Sequence, residues 1–191
     1  CEDFILTLND RDITTVEQFL ESLPGEDARE RQNGLKAALG YFYTHPGKKY
    51  LAPQGTLPKE ICDYLESLSQ FYKDHPALWE ADDDPVGFEW VQQMEAQDNI
   101  LAYIRKDRRK KDVLLVICNL SGQEQDGYKI GVPYYGKYKE IFNSDGIIFG
   151  GEGVINPRVK TCRKAEWDGR PYSLTVRVPA SGITVFAYQS V

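Results

Sequence analysis

The stretch that decides the fold is GYKIGVPYYGKYKEIFNSDGIIFGGEGV, Gly127 to Val154, closely followed by GRPYSLTVRVPASGITVFAY, Gly169 to Tyr188. Apolar and polar residues alternate in both segments, and glycine, proline and an Asn-Ser-Asp-Gly run interrupt them. This pattern is typical of short antiparallel strands joined by tight turns. Neither segment contains a catalytic signature, so the two stretches indicate a fold before they indicate a function.

Composition limits the classes of protein to consider. The chain has 191 residues, of which 41% are hydrophobic, so it can bury a core of one domain or two small ones. A net charge of −6 argues against a general nucleic-acid binder, which needs clustered lysine and arginine. No apolar run reaches the roughly 20 residues of a membrane span. We therefore expect neither a nucleic acid nor a membrane as partner.

The four cysteines, Cys1, Cys62, Cys118 and Cys162, are scattered, and no two form a CxxC pair. Their spacing suggests neither a zinc site nor a disulfide framework, which indicates a reducing cytoplasm. Cys1 could be the lipidated first residue of a lipoprotein, but the apolar Phe4 to Leu6 follows at once where a polar tether is expected. We expect instead that the chain begins inside a longer protein.

The first 80 residues predict a helical segment. Phe4 to Leu8 has the length of a strand, and Thr15 can cap a helix that Pro24-Gly25 ends. Apolar residues at helical spacing predict a second helix from Asp27 to Tyr43 and a third that starts near Pro58, with that proline at its first helical position.

Residues 81–191 predict an all-β domain. Seven strands are expected, at Phe88 to Val91, Ile100 to Arg105, Val113 to Leu120, Tyr128 to Val132, Tyr138 to Phe142, Ser173 to Val178 and Ile183 to Tyr188. Short strands with turns between them indicate an antiparallel β-sandwich. The acidic Asp82 to Asp84 lacks the ligand spacing of a calcium loop and is interpreted as a solvated interdomain turn. The basic run Arg105 to Lys111 is interpreted as an exposed hairpin loop, with an anion site as the alternative.

Five motifs of the β segment resemble, in the same order, the C-terminal all-β domain of bacterial 1,4-α-glucan branching enzymes, members of the α-amylase superfamily. They are Cys118-Asn119, Gly127 to Pro133, Glu140 to Asp145, Gly150 to Asn156 and Gly169 to Leu174. The helical half extends the resemblance through Pro24 to Asp27, Leu35 to Tyr41, Thr44 to Lys49, Phe71 to Leu78 and Asp84 to Trp90. The resemblance implies an α+β chain in which the helical end of a (β/α)8 barrel precedes the sandwich.

The same resemblance implies a chemistry. The family cuts an α-1,4-glucan and rejoins it as an α-1,6 branch in glycogen synthesis, without a cofactor. Retaining transfer requires a carboxylate nucleophile and a second carboxyl group about 5 Å away as acid and base. In the family both lie upstream of the residues matched here. We therefore expect α-glucan or glycogen as partner, an upstream catalytic barrel, and no activity from this chain alone.

A third family carboxylate stabilises the transition state and should lie near the N-terminus. Asp10 is the candidate, with Asn9 beside it, but the histidine that precedes that carboxylate in the family is missing. The preferred interpretation of Asp10 is a turn residue at the end of a strand, and the alternative is a vestigial form of the transition-state carboxylate. In the family, segments that line the substrate cleft follow the lysine pair that corresponds to Lys48-Lys49. These segments are absent here, since Tyr50 to Gly55 leads almost directly into the next helix.

Tyr134, Tyr135 and Trp167 lie in or near turns, where exposed rings could stack on sugars, and we name them with Asn9 as candidate carbohydrate-binding residues. Packing at the edge or core of a sandwich is the more common role of such rings, and we prefer it for all three, with sugar binding as the alternative. At the level of the whole chain, the alternative to a branching-enzyme part is a non-catalytic α-glucan-binding, structural or partner-docking module.

Overall fold

The structure is a computed structural model that describes residues 20, 21, 23, 25, 27–49, 56–92 and 99–191. The predicted strand from Phe4 to Leu8 and the predicted start of a helix at Thr15 lie outside the described residues. The candidate site residues Asn9 and Asp10 lie outside them as well.

Two α-helices confirm the second and third predicted helices. They are α1 (Ala28–Thr44) and α2 (Lys59–Asp74). The Asp27 carboxylate caps α1 by accepting hydrogen bonds from two backbone N–H groups of its first turn, at 2.8 and 2.9 Å. Pro58 is the N-cap of α2 rather than its first helical residue. The apolar faces of the helices meet in one cluster around Leu35, Leu39, Ile61, Tyr64, Leu65 and Leu68.

Eight strands follow. They are β1 (Phe88–Gln92), β2 (Ile100–Lys106), β3 (Val113–Asn119), β4 (Gln125–Val132), β5 (Gly136–Asn143), β6 (Lys160–Thr161), β7 (Tyr172–Val178) and β8 (Gly182–Ser190). Short 3-10 helices span Pro76–Leu78, Pro85–Gly87 and Ile147–Phe149. All seven predicted strands are present within one to three residues of their predicted ends. The sequence analysis missed β6, which is two residues long.

The strands form a sandwich with unequal sheets. The larger sheet has the order β1-β2-β3-β8-β5-β6, the smaller pairs β4 with β7, and all pairs are antiparallel. One apolar cluster fills the space between the sheets, with Ile104, Leu115, Ile130, Leu174 and Phe186 among its members. The predicted fold class, barrel-end helices followed by an antiparallel sandwich, is confirmed.

The outer face of the larger sheet is covered by the helical segment. Leu101, Tyr103, Val116 and Ile183 project to that side and pack with Phe71 at the end of α2. Every residue of β2 and β3 is therefore buried. Two-sided burial explains why these two strands are nearly continuous apolar runs, whereas β5 alternates.

The predictions for the acidic and basic runs were wrong in part. Arg105 and Lys106 belong to β2 and are buried, and Asp107 after them is buried as well, so the exposed part of the hairpin loop begins at Arg108. The Arg105 guanidinium binds the Asp82 carboxylate and donates to the backbone carbonyl oxygens of Thr44 at 2.6 Å and Gly87 at 3.2 Å. Asp82 is thus the counter-charge of a buried arginine, because an unpaired buried cation would be strongly unfavourable.

The other two aspartates of the triplet are paired as well. Arg108 binds Asp83 at 2.7 Å and Asp84 at 3.0 Å. The triplet therefore joins the β2–β3 hairpin to the segment before β1. Within the part of the chain that the structure describes, neither α-helix is long and apolar enough to cross a membrane.

Candidate carbohydrate-binding surface

The structure places the three described candidate residues on two neighbouring turns of the sandwich. Tyr134 and Tyr135 form the loop between β4 and β5, and Trp167 begins a tight turn that precedes β7. Trp167 and Tyr135 are exposed, at 44% and 42%, whereas Tyr134 is half-buried. Core packing therefore applies in part to Tyr134, whereas packing at the edge of the sandwich stays open for the other two rings.

Trp167 is held in place by a two-residue hairpin turn. Trp167 and Arg170 exchange two backbone hydrogen bonds of 3.0 and 2.8 Å. Asp168 and Gly169 between them have φ of 50° and 64°, as a type I′ turn requires. The Asp168 carboxylate accepts a hydrogen bond of 2.9 Å from the backbone N–H of Gly131. The turn is therefore anchored to the outer face of β4.

Lys129 lies beside the indole ring. Its Nζ is 4.0 Å from the ring centroid of Trp167, within the range of a cation–π interaction. Lys129 and Gly131 are two residues apart on β4 and so project to the same face. A Cβ on Gly131 would overlap the Trp167 carbonyl oxygen. Glycine at this position thus allows the turn to approach the sheet.

Two tyrosine hydroxyls fix the Tyr134–Tyr135 loop. The Tyr138 hydroxyl donates to the carbonyl oxygen of Tyr134 at 2.9 Å, and the Tyr188 hydroxyl donates to that of Tyr135 at 3.0 Å. Burial raises the pKa of Tyr138, so this hydroxyl keeps its proton and remains a donor. Lys164 Nζ lies 5.1 Å from the Tyr135 ring centroid.

A chain of ion pairs connects the two turns. Glu89 on β1 binds Arg170 Nη1 through Oε1 at 2.7 Å and Lys106 Nζ through Oε2 at 2.8 Å. Lys106 Nζ lies 3.5 Å from the Tyr134 hydroxyl. Burial opposes the charge of Lys106, but the hydrogen bond and charge of Glu89 outweigh it and raise the Lys106 pKa. We call the five residues Trp167, Arg170, Glu89, Lys106 and Tyr134 the Glu89 strip.

The sequence analysis missed the polar part of this strip. Glu89 was interpreted only as part of a strand, and Lys106 only as part of an exposed loop. No sequence spacing connects Glu89 with Arg170, which the fold alone brings together. Among the described residues, no group of three or more His, Cys, Asp and Glu side chains could hold a metal ion. The charged groups of the strip can form hydrogen bonds and ion pairs, and its aromatic rings can stack on other groups.

A family model matches the chain at residues 90–189, just over half of its length, and it describes the alpha amylase, C-terminal all-beta domain. The match covers the sandwich from β1 to β8. The chain belongs to this family. The α-amylase C-terminal all-β domain contains four of the five residues of the Glu89 strip and begins one residue after Glu89.

Curated relatives extend the similarity to the helical segment. The 1,4-alpha-glucan branching enzyme of Oceanobacillus iheyensis is 34% identical over 97% of this chain and 32% of that protein. The corresponding protein of Geobacillus stearothermophilus is 32% identical over 96% of this chain and 32% of that protein. The chain thus spans about a third of the length of these relatives. The resemblance to branching enzymes is confirmed, and a separate binding or docking module is not favoured.

Among solved structures, a MutB mutant in complex with glucose matches with a TM-score of 0.44 and 13% identity, over 75% of this chain and 22% of that chain. This likeness is too weak to carry an argument. None of the comparisons tests the candidate site residues Asn9, Asp10, Tyr134, Tyr135 and Trp167, which stay predictions.

Proposed function

We propose that this chain works as the C-terminal part of a 1,4-α-glucan branching enzyme, in the cytoplasm. The enzyme would transfer α-1,4-glucan segments to α-1,6 branch points in glycogen synthesis. The observation that carries the proposal is a sequence identity of 34% to such an enzyme over 97% of the chain, because this match includes the helical segment as well as the all-β domain.

The proposal assigns the bond-breaking groups to an upstream catalytic barrel. A carboxylate nucleophile there would form a glycosyl-enzyme, while a second carboxyl group would protonate the leaving oxygen and later deprotonate the acceptor hydroxyl. No cofactor takes part in this reaction. Asp10 is the residue of this chain that would stabilise the oxocarbenium-like transition state. The chain alone would be inactive.

The described residues support a second role, which is to hold the end of the barrel against the sandwich. We propose that residues 1–80 complete the barrel and that residues 81–191 form the all-β domain. Arg105 contacts both, since it binds the Thr44 carbonyl at the end of α1 and Asp82 before β1. The Thr44 and Tyr103 hydroxyls are also hydrogen-bonded to each other across this boundary, at 2.7 Å.

The first test is to isolate the native protein from its own cells with an antibody against this chain. Its intact mass and its branching activity are then measured, the latter as loss of the iodine colour of amylose. We expect a species several times heavier than 21.8 kDa that branches amylose. A native species of 21.8 kDa, or a larger one without branching activity, would contradict the proposal.

Asp10 is tested in that native protein. Asp10→Asn should reduce the branching rate by several orders of magnitude, because it removes a charge that stabilises the transition state. Asp12→Asn, two residues away, is the matched control and should leave the rate within about twofold. Equal activity of the two variants would make Asp10 a turn residue.

A further inference from the structure

The fold holds the three Asp-Gly steps of the sequence in different ways. They are Asp126-Gly127, Asp145-Gly146 and Asp168-Gly169. An aspartate before glycine is prone to internal ring closure, because glycine has no Cβ to shield its nitrogen and lets the backbone rotate. We propose that Asp126-Gly127 is a site of spontaneous isoaspartate formation in the folded protein, whereas the fold protects the other two steps.

The modification uses only the chain and water. The Gly127 nitrogen bonds to Cγ of Asp126, and one carboxylate oxygen leaves as water with the amide proton and a proton from the solvent. Water then adds to one carbonyl carbon of the resulting five-membered imide and breaks its bond to nitrogen. Opening at Cγ restores aspartate. Opening at the main-chain carbonyl carbon leaves the chain running through the side chain, which is isoaspartate.

The carboxylate of Asp126 is held only weakly. Its side chain is 81% exposed, and its ion-pair partner is Arg177 Nε at 3.6 Å. This distance is too long for a hydrogen bond, and within the described part of the chain Arg177 Nε has no hydrogen-bond partner. Exposed ion pairs of this kind contribute little free energy. The carboxylate can therefore turn toward the Gly127 nitrogen at small cost.

The backbone at this step is irregular. The register of β4 and β7 pairs Gln125 with Val178 and Tyr128 with Val176, so Asp126 and Gly127 lie together in a β-bulge where the ladder is disrupted. Gly127 has a φ of 77°, and a Cβ added to it would meet no atom within 4 Å. The bulge thus leaves space for the imide ring.

The other two carboxylates are held by hydrogen bonds. Asp145 is only 8% exposed and accepts from the backbone N–H groups of Glu152 at 3.0 Å and Val154 at 2.9 Å. Asp168 accepts from the backbone N–H of Gly131 at 2.9 Å and lies in the type I′ turn. Ring closure at either position first requires these charge-assisted hydrogen bonds to break.

The Asn33-Gly34 step could close the same ring with loss of ammonia in place of water. It lies in the interior of α1, where the helical hydrogen-bond pattern engages the backbone N–H groups and fixes the chain. We therefore expect this step to be protected as well, which leaves position 126 as the reactive one among these four steps.

Isoaspartate at position 126 would alter the start of β4. It adds the Cβ methylene to the main chain and leaves the carboxylate on the α-carbon. Gln125, the preceding residue, pairs with Val178, whose side chain is fully buried in the sandwich. We expect this pairing to loosen, so amide hydrogen exchange at Gln125 should become faster after the modification, whereas β2 and β3 should be unaffected.

The test is incubation of the folded 191-residue chain for several weeks at physiological temperature and neutral pH. Isoaspartate is located by peptide mass spectrometry with electron-transfer fragmentation. We expect it to form at position 126 at least about tenfold faster than at 145 or 168, since a hydrogen bond to a charged group must break at both of these. In guanidinium chloride, which removes the fold, the three positions should react at similar rates.

Asp145 and Asp168 serve as matched controls within the same molecule, and circular dichroism of the same sample checks the fold. Asp126→Glu provides a variant that keeps the charge, but its side chain would have to close a six-membered ring. This variant should lose the isoaspartate signal from the peptide that contains residue 126. Absence of isoaspartate at position 126, equal rates at the three positions in the folded chain, or an unchanged signal in Asp126→Glu would each overturn the proposal.

Discussion

Replacing Asp82 with alanine should destabilise the protein because it leaves a buried arginine without a counter-charge. The Arg105 side chain is 0% exposed, and its guanidinium would retain only the carbonyl oxygens of Thr44 and Gly87. Breaking a buried ion pair in this way costs about 3–5 kcal/mol. Since the Asp82 side chain is 21% exposed, water can replace part of the lost contact. We therefore expect the lower end of the range, about 3 kcal/mol, in urea unfolding followed by circular dichroism.

Asp83→Ala is the control for this experiment. Asp83 is the next residue and also binds an arginine, Arg108, but its side chain is 82% exposed. Exposed pairs contribute less than about 1 kcal/mol. The two substitutions remove the same group from the same acidic triplet. Asp82 also accepts a hydrogen bond of 3.2 Å from the backbone N–H of Gly47, so the difference between the two variants reports burial together with that bond.

A double variant tests the cause. Arg105→Met combined with Asp82→Ala removes the unpaired charge but leaves the Thr44 and Gly87 carbonyl oxygens without this donor. Its destabilisation should therefore be smaller than the sum of the two single effects. If Asp82→Ala costs no more than Asp83→Ala, or if the two single effects simply add, the argument from a buried unpaired cation is wrong.

Three further predictions concern single side chains. Gly131→Ala should lower the melting temperature far more than Gly169→Ala, because a Cβ at position 131 would overlap the backbone carbonyl oxygen of Trp167. A Cβ at position 169 has open space around it, so that substitution costs only the strain of a φ of 64°, about 1 kcal/mol. Tyr138→Phe should cost about 1 kcal/mol in urea unfolding, since it removes one hydrogen bond to the β4–β5 loop. Burial lowers the pKa of Lys49 from 10.5 to about 8, so the unfolded chain binds more protons between these values and stability should rise with pH there. Burial also lowers the pKa of Lys36, so Lys49→Met should reduce that rise rather than remove it when unfolding is measured at both ends of the interval.

Much of the fold could be predicted because its signals are local. Alternation within β4, β5 and β7 and the turn residues between them lie within a few positions of one another. The N-cap at Asp27 follows from one side chain and the backbone of the next turn. β6 has no such signal, since two residues are too few to show alternation.

The errors concern contacts between residues that are distant in the sequence. A run of charged residues indicates solvent exposure, and only the fold shows that Arg105 has acceptors 18, 23 and 61 residues away. The same is true of the candidate site. Its aromatic residues could be named because they lie in turns, but the Glu89–Arg170 pair joins two segments that no sequence period relates.

Because β2 and β3 are buried on both faces, the stability of the predicted sandwich depends on the predicted helical segment that precedes it. Leu101, Tyr103 and Val116 face the helical segment, so a sandwich cut away at residue 80 would expose them to water. Arg105 would lose the Thr44 carbonyl oxygen in the same cut. Both losses oppose folding of the sandwich by itself. We therefore expect the boundary near residue 80 to separate two kinds of architecture but not two units that fold independently.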